Sequence, residues 1–86
     1  MTITKQIVAE RLAAYIHHEL SIGELVDWAE RAMMDGEFET NDVAELAAVV
    51  ARLGVADARA FGLTWEDCED LLRRVGYQAR VEIVSA

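Results

Sequence analysis

Proline is absent from this chain of 86 residues, and cysteine occurs once. Without proline there is no polyproline segment and no proline-forced kink or turn. A single thiol excludes an internal disulfide framework and most cysteine-based metal sites. No apolar run approaches the ~18 residues that suggest a membrane span, and no charged-then-apolar leader opens the chain. The expectation is a cytoplasmic protein with no membrane partner. Bases are scarce as well, with eight lysines and arginines against sixteen acids and a net charge of −8. Direct nucleic-acid binding is not expected, because it needs cations that neutralise phosphate.

The imbalance is local. Glu19, Glu24, Asp27, Glu30, Asp35, Glu37, Glu39, Asp42 and Glu45 face one intervening base, Arg31. That stretch holds the whole excess of acid. It keeps a small domain soluble, and it also offers a field to a basic partner.

Glycines and helix caps punctuate the chain, and nothing divides it. The whole of 1–86 reads as a single domain. Ile3, Ile7, Val8, Leu12, Tyr15, Ile16 and Leu20 recur with helical spacing, which predicts a helix over about 3–20. The opening Thr2-Ile3-Thr4 also suits extended chain. Ser21 with Glu24 has capping-box spacing and starts a second helix, with Gly36 as a left-handed stop. Its apolar arc holds Ile22, Leu25, Val26, Trp28, Ala29, Ala32 and Met33. The opposite arc holds Glu24, Asp27, Glu30, Arg31 and Asp35, with Arg31 four residues from both Asp27 and Asp35.

Residues 37–41 read as an acidic loop. A third helix follows, capped by Asn41 or Asp42, with Val43, Leu46, Ala47, Val50 and Leu53 as its buried stripe. Gly54 ends it, and Val55 stands where an apolar contact follows a glycine cap. Residues 56–61 read as a short helical turn. Thr64 caps a last helix with Trp65, Cys68, Leu71, Leu72 and Val75 on one face. Its Glu69–Arg73 and Asp70–Arg74 spacings favour i, i+4 pairs. Gln78, Arg80 and Glu82 then alternate with Ala79, Val81 and Ile83, which predicts a strand over 78–84. That strand lacks a clear partner in the sequence. The Thr2–Thr4 opening, the same tail of a second copy, or a strand of another protein would each serve.

The expected architecture is mainly α. It is a small bundle of three to four helices plus a short helical turn, with one C-terminal β-strand. Its core forms on Leu12, Ile16, Leu25, Trp28, Leu46, Val50, Leu71 and Leu72. Pairing of tails would make a homodimer.

Candidate chemistry is sparse. His17 and His18 are neighbours, so on a helix they point about 100° apart and cannot clasp one ion together. Cys68 lies on an apolar helix face and reads as a small buried hydrophobe. The run from Asp35 to Asn41 spaces oxygen ligands as a calcium loop does. However, Thr40 stands at the sixth position and Leu46 at the twelfth, where glycine and glutamate belong. Residues 50–63 suggest a helix-turn-helix, but the reading helix would be short and carry one base, Arg59. Trp28 and Trp65 read as core anchors. No phosphate loop, nucleophile elbow or paired catalytic carboxylates occur. No enzyme, cofactor or metal site is expected.

Two stretches carry a resemblance. Residues 15–30, YIHHELSIGELVDWAE, are similar to the opening of small bacterial proteins of bacteriocin-immunity or antitoxin type. Residues 63–84, LTWEDCEDLLRRVGYQARVEIV, resemble the helix, glycine-aromatic, strand endings of small toxin–antitoxin proteins. Neither stretch holds a diagnostic motif, and no functional residue carries across. The resemblance implies a small neutralising or accessory protein.

The expected function is therefore a non-enzymatic protein–protein interaction module. Its binding residues would be the acidic Glu24, Asp27, Glu30, Asp35, Glu37 and Glu39, or the tail residues Arg80, Val81, Glu82 and Ile83. The alternatives are a regulator binding a metal or small ligand through the His17–His18 region or the acidic loop, and a DNA-binding regulator of helix-turn-helix type.

Overall fold

Helix caps and one short strand pair set the frame. The computed structural model of the chain describes residues 2–39, 42–57 and 62–79. In order these form β1 (Thr2–Ile3), α1 (Lys5–Ile16), α2 (Ile22–Asp35), β2 (Glu37–Phe38), α3 (Val43–Leu53) and α4 (Trp65–Arg74). The mainly helical expectation holds.

The first helix is shorter at both ends than its periodicity predicts. Thr4 is extended, and its hydroxyl accepts from the Ile7 amide at 3.1 Å, so α1 starts after it. Ile3 is taken into β1 and fully buried. At the other end His18 sits in the left-handed region at φ 62. The His18 amide donates to the Tyr15 carbonyl and the Glu19 amide to the Ala14 carbonyl. That is the Schellman arrangement, with histidine where glycine is usual. The same pair of bonds closes α4, from Gly76 to Arg73 and from Tyr77 to Leu72, with Gly76 at φ +90.

Ser21 and Glu24 form the expected capping box, each side chain accepting from the other residue's amide at 3.1 and 3.0 Å. Gly36 stops α2, but not in the left-handed form expected. It is extended, at φ −81 and ψ 150. The reason for glycine is space. A Cβ there would lie 2.5 Å from the Ala32 carbonyl oxygen and 2.8 Å from Ile3 Cγ1. The chain runs straight on into β2, which pairs in parallel with β1, Thr2 opposite Glu37 and Ile3 opposite Phe38. Two of the five residues of the expected acidic loop are thus sheet.

Asp42 does not cap α3 with its side chain. Its backbone is left-handed at φ 55, and its carboxylate instead accepts from Lys5 Nζ at 2.8 Å. Val43 and Val55, expected inside, are exposed, while Val49 and Ala56 are buried in the core. Thr64 and Asp67 form a second capping box at the start of α4. Arg74 does not pair along its helix with Asp70. It reaches Glu45 and ties α4 to α3, and Arg73 takes both Glu69 and Asp70 at 3.7 and 3.8 Å.

The core joins Leu12, Leu25, Trp28, Leu46, Val50, Leu71 and Leu72, as the pattern predicts, with Ile3, Val8, Ala29, Ala32, Val49, Leu53, Cys68 and Val75. Ile16 packs only partly buried against it. Each large aliphatic side chain buried there contributes about 1.5–3 kcal/mol of transfer free energy. Ala29 faces the end of α3, 4.0 Å from where a Cβ on Gly54 would stand, and Arg11 covers Trp28 with its guanidinium carbon 5.5 Å from the ring centroid. Of the expected tail strand, Gln78 and Ala79 have no regular structure. Residues 80–84, like 58–61 of the expected helical turn, lie outside the described residues.

Candidate functional site

The acidic run divides in space into groups that serve the fold and groups that face solvent. Glu24 belongs to the capping box. The Ser21 amide, with its hydroxyl, holds the Glu24 carboxyl below the usual glutamate range. Glu39 turns to the start of α1, where its Oε1 accepts from the Lys5 amide at 2.8 Å. Asp42 takes the Lys5 ammonium, and that hydrogen bond lowers its carboxyl and raises the Lys5 amine. Glu45 takes Arg74. Each of these four acids has a partner within the fold, though Glu24 remains exposed.

Asp27, Glu30, Asp35 and Glu37 are exposed and have no ion pair with a described residue. The expected bridge through Arg31 does not form, since its Nε donates to the Asp27 carbonyl at 3.4 Å rather than to a carboxylate. Asp27, Glu30 and Arg31 share a shallow depression with Met34, which is 81% exposed. Of the six acids expected to bind a partner, the structure therefore places three along the solvent side of α2 and Glu37 beyond its end. Glu24 accepts from Ser21 within its own cap, and Glu39 from the Lys5 amide, 34 residues earlier in the chain. Arg80, Val81, Glu82 and Ile83 lie outside the described residues.

The other candidates resolve simply. Trp28 is 5% exposed and anchors the core. Cys68 is buried, and desolvation foremost, with the nearby Asp67 carboxylate, pushes its thiol up against the opposing pull of Arg52. A protonated thiol in that position is a packing group. His17 and His18 are exposed at the end of α1. No group of three or more His, Cys, Asp or Glu among the described residues is arranged to hold a metal ion. The would-be reading helix of the helix-turn-helix, 56–61, falls largely outside the described residues. No described helix is long and apolar enough to cross a membrane.

One feature escapes sequence reasoning. A cleft of about 610 Å³ opens where the end of α1, the start of α2 and the start of α4 meet. Tyr15 and Ile16 line it from α1, Leu20 and Ile22 from the following chain, and Leu63 and Trp65 from the third side. His18, Glu19, Ser21, Glu24 and Thr64 supply its polar groups, and no lysine or arginine among the described residues lines it. Trp65, read from its spacing as core, is 38% exposed here. The available signal was position. Ile22 and Trp65 each directly follow an N-cap, at helix ends where a buried stripe frays.

No family model matches the chain, and no curated protein or solved structure matches it either.

Proposed function

We propose that this chain is a non-enzymatic protein–protein interaction module whose α2 solvent face receives a basic protein partner. The observation that carries this reading is the row of Asp27, Glu30 and Asp35 without a described ion pair, beside the exposed Met34. Like charges crowded on one face repel, and an opposed basic surface relieves that repulsion and speeds encounter. Met34 adds an adaptable apolar contact of the kind used at binding surfaces. An immunity protein or antitoxin that covers the basic site of a nuclease is the specific case that the sequence resemblance suggests. The proposal extends to a homodimer, resting on the alternation of residues 78–84.

The test is affinity purification with the wild-type chain and with a D27N/E30Q/D35N variant, followed by titration of each captured protein in purified form. Exposed charge pairs contribute about 0.2–1 kcal/mol each, so neutralising three weakens binding roughly tenfold. A partner of basic isoelectric point, bound less tightly as salt rises and roughly tenfold more weakly by the variant, is the expected result. Equal binding by both chains, or affinity indifferent to salt, would remove α2 as the docking face.

A further inference from the structure

We propose that the cleft between the end of α1 and the starts of α2 and α4 binds a short apolar segment of a partner protein, one flanked by lysine or arginine. This site is separate from the α2 solvent face and stands without it.

Three observations converge. First, the lining is apolar yet incompletely covered. Leu20, Ile22 and Leu63 are half-buried, and Trp65 is 38% exposed. The two capping boxes explain why. Ser21 and Thr64 satisfy the first amides of α2 and α4, and each is followed at once by a large apolar residue, Ile22 and Trp65. The caps fix the backbone there, so both side chains stand at the same cleft, Ile22 partly buried against the core and Trp65 outside it.

Second, the lining carries two carboxylates, Glu19 and Glu24, beside His18, Ser21 and Thr64. Glu19 and Glu24 are exposed at the rim, and among the described residues no lysine or arginine lines the cleft beside them. Glu24 stays ionised because the Ser21 amide and hydroxyl stabilise its charged form. A segment with basic flanks complements this rim, and one with acidic flanks is repelled.

Third, the cleft is open. Small-molecule sites bury most of their ligand's surface. Walls that keep this much contact with solvent suit a side chain presented from a larger body, as the groove for an amphipathic segment does.

The probe is a synthetic twelve-residue peptide with leucine and phenylalanine at its centre and lysines at both ends. Its counterpart has glutamate for every lysine. Trp65 lies at the cleft and Trp28 in the core, so intrinsic fluorescence reports occupancy through the first and folding through the second. The expected result is a saturable blue shift with a dissociation constant on the order of 10–100 µM. The shift is absent in Trp65→Phe. Binding of the glutamate peptide is at least about tenfold weaker. Leu63→Asp abolishes binding. Should that variant fail to fold, Glu19→Lys decides instead, since Glu19 is exposed and has no described ion pair; it weakens the lysine peptide by about three- to tenfold. The D27N/E30Q/D35N variant weakens the peptide less than Glu19→Lys does, because Glu30 and Asp35 lie about 9 and 16 Å along α2 from Glu24 and only Asp27 is within one turn of it. The proposal is overturned if the lysine peptide leaves Trp65 emission unchanged at 1 mM. Equal binding of both peptides overturns it too, as does a triple variant that loses the peptide as fully as Glu19→Lys. A failure here leaves the α2 proposal intact, and failure of the α2 purification leaves this one intact.

Discussion

Single residues bear loads here that their types do not advertise. His18 occupies the left-handed position that ends α1, where Gly76 serves α4. A side chain in that region costs roughly 1–2 kcal/mol, and glycine relieves it while losing about 0.5–1 kcal/mol of extra backbone entropy. His18→Gly is expected to raise stability by about 0.5 kcal/mol and Tm by about 2–4 °C in thermal unfolding. Gly36 makes the opposite case. Its dihedrals suit any residue, but its missing Cβ admits the Ala32 carbonyl and Ile3. Gly36→Ala must push β1 from α2, and overpacking of this kind costs about 1–3 kcal/mol. Urea unfolding that leaves the midpoint of Gly36→Ala at the wild-type value would show that Ile3 moves away freely.

At the scale of elements, capping decides where helices begin. The Ser21–Glu24 box and the Thr64 cap were legible in the sequence, because caps are local and need only a spacing of three, while the Asp67 half of the second box came with the structure. Asp42 with Glu45 has the same spacing, yet its carboxylate goes to Lys5, 37 residues away in the chain. No local rule contains that choice. The caps also set a pH dependence. The Asp67 carboxyl is lowered, chiefly by the Thr64 amide, and the Glu24 carboxyl by the Ser21 amide. A carboxyl that holds its proton less tightly when folded adds stability above its unfolded pKa. That stability is lost as pH falls through the folded pKa, below about pH 4 for these groups. Tm measured from neutral to acid pH should therefore fall less for Asp67→Asn than for the wild type, starting from a lower value. Thr64→Ala is expected to lose about 1 kcal/mol at neutral pH. Parallel pH profiles for Asp67→Asn and wild type would contradict the assignment of the Asp67 cap.

At the scale of the molecule, the proposed outside contacts rest on charge and on the pairing of strand edges. The pair β1–β2 is a two-stranded sheet of two residues each, which is marginal without packing, and Ile3 and the partly buried Phe38 supply that packing against the core. Solution mass by light scattering tests the proposed homodimer, with the intact chain compared to one ending at Tyr77. A dimer that becomes a folded monomer on truncation is the expected outcome, and an intact monomer at all concentrations would overturn self-pairing.

The sequence by itself determined the four helices, two of the caps, most of the core and the acidic bias. Each of these follows from periodicity, short-range spacing or simple charge count, which operate within a few residues. Tertiary structure alone decided which acids remain free, that residues 37–38 join 2–3 as a sheet, and that Trp65 lines a cleft rather than the core. Those outcomes depend on which distant groups arrive together. Lys5 reaches Asp42, Arg74 reaches Glu45, and Ile3 fills the space beside Gly36. Spacing along a chain carries no record of such meetings, because they are fixed by how whole faces pack.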